Sequence, residues 1–103
     1  MLSEICFVRG LVNTDVMVGQ RVILTCETSD DTATVDWLKK DEHLSRDSGC
    51  HGYEIQDSGR VHLLTILAAS LSDEAKYTCS CRDDVTSCML LVEGTAGTIT
   101  ITN

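Results

Sequence analysis

Positive charge is scarce in this 103-residue sequence: eight Lys and Arg stand against sixteen Asp and Glu, a formal net charge of −8. Affinity for a phosphodiester backbone or an anionic membrane depends on clustered Lys and Arg that displace counterions, and the longest basic run is Lys39-Lys40. Neither nucleic acid nor a membrane is therefore expected as a partner. Long apolar runs are also missing. No stretch approaches the ~20 apolar residues of a helical membrane span, and Met1 to Leu11 carries Glu4 where a signal peptide would need a basic start. Proline is absent altogether, and so is any N-x-S/T sequon, because Asn13-Thr14 is followed by Asp15. The missing sequon favours an intracellular home. Zinc-module spacing is lacking too: there is no C-x-x-C, the closest pair is Cys79 and Cys81, and His43, His51 and His62 do not form a ligand pair.

Cysteine, in contrast, is abundant, with six in a chain of one-domain size. In an oxidising space an even count suggests up to three disulfides; in a reducing one the same residues are small buried hydrophobes, ligands or redox sites. Period-2 alternation dominates the rest of the chain. Val22, Leu24 and Cys26 alternate with Ile23 and Thr25, Val35 and Trp37 with Asp36 and Leu38, Tyr77, Cys79 and Cys81 with Thr78 and Ser80, and Cys88, Leu90 and Val92 with Met89 and Leu91. Polar turn clusters such as Ser29-Asp30-Asp31, Asp57-Ser58-Gly59 and Arg82-Asp83-Asp84 separate them. Strands are expected near 4–9, 14–18, 20–28, 33–39, 52–56, 60–67, 75–82 and 86–93, with a turn around Ala68 to Ala75. Short strands at this spacing predict an all-β antiparallel sandwich or barrel. The domain is expected to span 1–93, with 94–103 a tail or linker.

One constellation is more specific. Cys26, Trp37 eleven residues later, and Asp73-Glu74-Ala75-Lys76-Tyr77-Thr78-Cys79 form the Cys…Trp…Tyr-x-Cys framework of an immunoglobulin domain. Trp37-Leu38-Lys39-Lys40-Asp41-Glu42-His43-Leu44 resembles the W-x-K-[DN]-G-x-x-L of the intermediate, or I-set, class, and Leu64-Thr65-Ile66 through Cys79 resembles its L-x-I…D-x-G-x-Y-x-C. The resemblance covers about Phe7 to Glu93 and is greatest to the domains of titin, obscurin and the myosin-binding proteins of muscle. Ala75 and Asp41 replace glycines of the pattern, and Cys6-Phe7 stands where that group often has Pro-x-Phe.

The resemblance implies a Greek-key sandwich of two antiparallel sheets in which Cys26 and Cys79 face each other. A bridge between them would close a loop of about fifty residues and stabilise the fold by roughly 4 kcal/mol, while a reducing compartment would leave both as thiols. Trp37 would pack across that pair, and Tyr77 would return its hydroxyl to the backbone as a tyrosine corner. Parity gives a core of Val22, Leu24, Cys26, Val35, Trp37, Leu64, Ile66, Leu71, Tyr77, Cys79, Cys81, Cys88, Leu90 and Val92. Cys81 and Cys88 are expected opposite each other across a hairpin, either as buried fillers or as a cross-strand redox pair. Cys6 and Cys50 are left as surface thiols, and His62 as an edge or half-buried residue. Asp30, Asp31, Asp57, Asp83 and Asp84 should gather at one pole.

Ser70 and Ser72 lie near Asp73, but no histidine is placed to activate them, and Cys50-His51 lacks convergent ligands. No catalysis, cofactor or metal is expected. The candidate partner-binding face is the outward side of the C-F-G sheet, where Leu38, Met89 and Leu91 stand beside Thr78 and Ser80. The implied function is a structural, protein-binding module of an intracellular cytoskeletal scaffold, monomeric when isolated, whose partners are other protein domains of filament or signalling proteins. An extracellular adhesion or receptor domain with Cys26 and Cys79 oxidised is the alternative.

Overall fold

Alternating side chains bury one face of a strand and leave the other wet, so two such sheets must close on each other. In the computed structural model, which describes residues 5–44 and 52–94, they do so as a four-stranded and a five-stranded sheet. The strands are β1 (Phe7–Arg9), β2 (Thr14–Met17), β3 (Val22–Thr28), β4 (Asp36–Lys39), β5 (Glu42–His43), β6 (Tyr53–Ser58), β7 (Val61–Ile66), β8 (Ala75–Cys81) and β9 (Asp84–Glu93). One sheet runs β1-β3-β7-β6 and the other β2-β9-β8-β4-β5. Every pairing is antiparallel except β2 with β9, which are parallel from Thr14 opposite Leu90 to Met17 opposite Glu93. The N-terminal segment therefore starts in one sheet and ends in the other, which is the immunoglobulin-like arrangement that the sequence pattern implies.

The core lies between the sheets, with Trp37, Tyr77, Leu64, Leu90, Cys26, Cys79 and Cys81 as its most deeply buried apolar members. Leu71, expected inside, is 62% exposed. The period-2 pattern stops after Ile66, and Leu71–Asp73 form a 3-10 turn with three residues per turn. Ala69 and Ala75 are buried on either side of it instead.

Two turns set the registers on either side of β8. Lys40 and Asp41 both take positive φ, 52° and 69°, which lets a two-residue hairpin turn join β4 to β5 at the polar cluster Lys40-Asp41-Glu42. Leu38 thereby pairs with His43, and Lys39 with Glu42. At the β8–β9 hairpin Arg82 is left-handed, with φ of 57°, and the chain reverses at Arg82-Asp83, placing Cys81 opposite Asp84. Residues Cys50 and His51, and the tail from 95 onward, lie outside the described residues.

In urea unfolding, Leu71→Ser should stay within about 0.5 kcal/mol of the parent chain, whereas Leu90→Ala should cost about 2–5 kcal/mol. A large loss for Leu71→Ser would return that residue to the core.

Candidate functional site

The centre of the sandwich joins its two sheets through sulfur and aromatic side chains. Cys26 on β3 and Cys79 on β8 bring their Sγ atoms to 3.5 Å, and both are buried thiols in this structure. The contact with Cys79 holds the Cys26 thiol below its ordinary pKa, with burial acting in the opposite direction. Trp37 sits beside Cys79 across the β4–β8 pair, its indole Nε1 buried and, among the described residues, without a hydrogen-bond partner. The Tyr77 hydroxyl donates to the Asp73 carbonyl at 2.7 Å, and burial, with the Asp73 charge adding to it, pushes the phenol pKa well up.

The other cysteines are arranged differently from the sequence expectation. Because the hairpin reverses at Arg82-Asp83, Cys88 lies opposite Tyr77, and Cys81 lies opposite Asp84. Cys81 and Cys88 are therefore not partners across the ladder. Each is a buried thiol whose pKa burial raises, which suits the filling of alanine-sized space. Cys6 is exposed and precedes β1.

His62 is a second correction: it is fully buried. Its inward position follows from sharing the parity of Leu64 and Ile66, a signal present in the sequence and outweighed there by residue type. The ring is accommodated because both nitrogens have partners: Nδ1 lies 2.6 Å from Asp57 Oδ1 and Nε2 lies 3.0 Å from Thr28 Oγ1. The Thr28 hydroxyl also reaches the carbonyls of Asp30 at 3.0 Å and Arg60 at 3.3 Å. One polar knot thus ties β3, the β6–β7 hairpin and the loop after β3.

The acidic residues of that pole are largely engaged in structure. Asp30 accepts hydrogen bonds from the backbone N–H and the hydroxyl of Thr32, and these bonds hold its carboxyl below the usual range. Asp84 accepts from the Phe7 N–H at 2.9 Å, and Asp57 is paired with His62. Arg60 and Arg9 approach Glu27 nearby, at 3.4 and 4.0 Å. The pole is therefore a mixed-charge surface.

On the outer face of the five-stranded sheet, Met89 and Leu91 are exposed by 41% and 43%, while Leu38, Thr78 and Ser80 are half-buried. Leu38 is opposite Thr78, which is opposite Ser87, and Met89 is opposite Lys76. Two polar residues thus separate Leu38 from the apolar group on β9. Sequence reasoning omitted two further exposed apolar residues, Val85, which Ser87 separates from Met89 along β9, and Met17 on adjoining β2, which lies opposite Glu93. Alternation along β9 would have found Val85.

A recess of about 350 Å³ opens at the side of the sandwich, lined by Lys39, His43, Leu44, Tyr53, Asp73 and Tyr77 among others. Among the described residues no group of three His, Cys, Asp or Glu side chains is placed to hold a metal ion, and no helix is long and apolar enough to cross a membrane.

Against this geometry the comparisons with known proteins agree. The sequence profile described as Immunoglobulin I-set domain matches residues 5–92. The chain is 43% identical over 70 residues to fast-type myosin-binding protein C of Gallus gallus, covering 68% of this chain and 6% of that protein. It is 41% identical over 69 residues to cardiac-type myosin-binding protein C of Homo sapiens, covering 67% of this chain and 5% of that protein. The chain thus spans only a small fraction of the curated relatives it matches. Among solved structures, domain I10 of titin superposes with a TM-score of 0.80 at 26% identity, covering 87% of this chain and 99% of that one. A chain of the complex between titin M10 and an obscurin-like 1 Ig domain also gives 0.80, at 21% identity, over 90% of this chain and 97% of that one.

Two measurements test the buried polar groups. Thr28→Val keeps the side-chain shape and strands the His62 ring, and should cost about 1–3 kcal/mol; Thr25→Val, on the exposed face of the same strand, should be near neutral. The Tyr77 phenol keeps its proton in the folded chain at a pH where the unfolded chain would ionise it. The folded state then binds more protons, so stability should fall as pH rises past about 10, the ordinary tyrosine pKa. Ultraviolet titration should find one tyrosine that ionises only on unfolding, and Tyr77→Phe should remove it.

Proposed function

The chain belongs to the immunoglobulin I-set family, and from that premise we propose that it is a non-enzymatic structural and protein-docking module of a larger cytoskeletal scaffold of the sarcomere. The observation that carries this reading is the parallel β2–β9 pair in a chain similar to myosin-binding protein C. In parallel neighbours, the chain enters β2 at the end opposite to where it leaves β9. Tension along the chain would then shear the pair, loading its hydrogen bonds together rather than one at a time. Residues 1–93 are assigned to the module and 94–103 to a tail or linker.

Docking is assigned to the outer face of the five-stranded sheet, at Leu38, Thr78, Ser80, Met89 and Leu91. Its exposed apolar side chains suit another protein domain, and the net charge of −8 does not suit nucleic acid or an anionic membrane. The isolated domain is monomeric. The 3.5 Å approach of Cys26 and Cys79 supports a second reading, an extracellular domain with that pair oxidised. Intact mass of the native protein after alkylation, with and without reductant, separates the two: free thiols fit the cytoskeletal reading and a bridge fits the extracellular one.

The purified chain should cosediment with myofibrils and not with a non-muscle cytoskeletal preparation. Met89→Glu with Leu91→Glu should weaken that binding at least tenfold, about 1.4 kcal/mol, while the thermal midpoint stays close to that of the parent. Equal binding to both preparations would remove the sarcomeric assignment, and unchanged binding of the double variant would remove the face.

A further inference from the structure

The parallel ladder begins only at Thr14, yet the chain is fastened to β9 well before that point. Residues 7–13 leave the four-stranded sheet at β1 and cross to the five-stranded sheet at β2. Over this crossing, side chains supply what a ladder cannot. The Phe7 N–H donates to Asp84 Oδ2 at 2.9 Å, the Leu11 N–H donates to Thr86 Oγ1 at 3.0 Å, and the Met89 N–H donates to Asn13 Oδ1 at 2.8 Å. The three ties follow one another in order along both segments. They reach β9 at Asp84, Thr86 and Met89, and the backbone ladder takes over at Leu90. At the far end the Val18 N–H donates to the Glu93 carbonyl at 2.9 Å.

Gly10 provides an independent observation at the middle tie. A Cβ added there would stand 2.6 Å from Thr86 Oγ1, closer than real Cβ contacts, so the missing side chain is what admits the threonine hydroxyl to the Leu11 amide. Gly10 has no left-handed backbone, which leaves close approach as its role.

We propose that Asp84, Thr86 and Asn13, with Gly10 making room at the centre, extend the shear-loaded clamp from Thr14 back to Phe7. The proposal rests on the reading that the chain transmits tension, and it adds which residues take that tension first. Without the ties, this segment is held by the short β1–β3 pair, with its irregular register between Phe7 and Arg9, by the Arg9–Glu27 approach and by the packing of Phe7 and Leu11 on the core. Seven freed residues span at most about 25 Å at ~3.5 Å each, against the ~20 Å of β9 they already follow from Asp84 to Leu90, so the segment lengthens by roughly 5 Å before the ladder is loaded. With the ties, Phe7 to Val18 and Asp84 to Glu93 resist as one unit.

Amide exchange tests the ties and single-molecule force tests their role. In the full chain, Thr86→Val and Gly10→Ala should each speed exchange at Leu11 about five- to tenfold, Thr86→Ser should restore it, and Asn13→Ala should speed exchange at Met89 alone. Under constant force on the two termini, Thr86→Val and Gly10→Ala should unfold about five- to tenfold faster than the parent and show an early extension of roughly 5 Å. With handles moved to Thr25 and Gln56, which leave residues 7–13 and β9 out of the force path, these variants and the parent should unfold alike. If the parent resists end-to-end force no better than force between Thr25 and Gln56, the tension reading falls. If the parent resists end-to-end force but the variants match it, that reading stands and the extended clamp is overturned.

Discussion

The register of β8 between β4 and β9 is the constraint on which most of this domain depends. It puts Trp37 beside Cys79 and Cys88 beside Tyr77, and so delivers four large or polarisable side chains to the space between the sheets. A one-residue slip would turn Tyr77, Cys79 and Cys81 outward and bring Lys76, Thr78 and Ser80 inside. The Tyr77 hydroxyl guards against that slip, because only in this register does it reach the Asp73 carbonyl. The thiol contact to Cys26 then joins β8 to the opposite sheet, so sheet pairing and sheet packing are fixed by the same strand.

Alternation showed which face of each strand is buried, and the Cys26, Trp37, Tyr77 and Cys79 set pointed to the family, because both follow from local chemistry. The sequence pattern failed where geometry overrides local pattern. Leu71 was misplaced because a 3-10 turn interrupts the period of two. Opposing Cys81 to Cys88 needs a turn centred two residues beyond Arg82-Asp83, and the left-handed Arg82 that sets the actual turn is an unusual residue for that conformation. His62 was assigned to an edge on polarity, although its parity pointed inward; its partners Asp57 and Thr28 come from two other strands and could not be paired with it from spacing alone. At the candidate docking face the individual residues were legible, but the polar pair Thr78 and Ser87 that divides Leu38 from Met89 emerges only from cross-strand register.

The buried polar knot and the fastened N-terminal segment solve the same problem at one pole. A sandwich is weakest where its ladders end and backbone groups lose their neighbours. Here the Thr28 hydroxyl covers carbonyls of Asp30 and Arg60, Ser29 and Cys6 exchange bonds, and Asp84 covers the Phe7 amide. Carboxylates that composition alone assigns to solvation are therefore partly structural, which limits how much of the net charge remains for steering a partner.

A domain held in this way divides its interior from its surface by task. Its buried thiols and aromatics set the fold, and under the proposed role recognition falls to side chains that the strands turn outward. The strand that bears the apolar outer group, β9, is also the one clamped to the N-terminal segment through its length. Docking on Met89 and Leu91 would thus bear on the same strand that tension shears. Under the proposed role, an occupied outer face and a loaded clamp are coupled through β9: a partner that binds only the intact strand must stabilise it against shear, because any ligand selective for the folded state shifts the balance toward it.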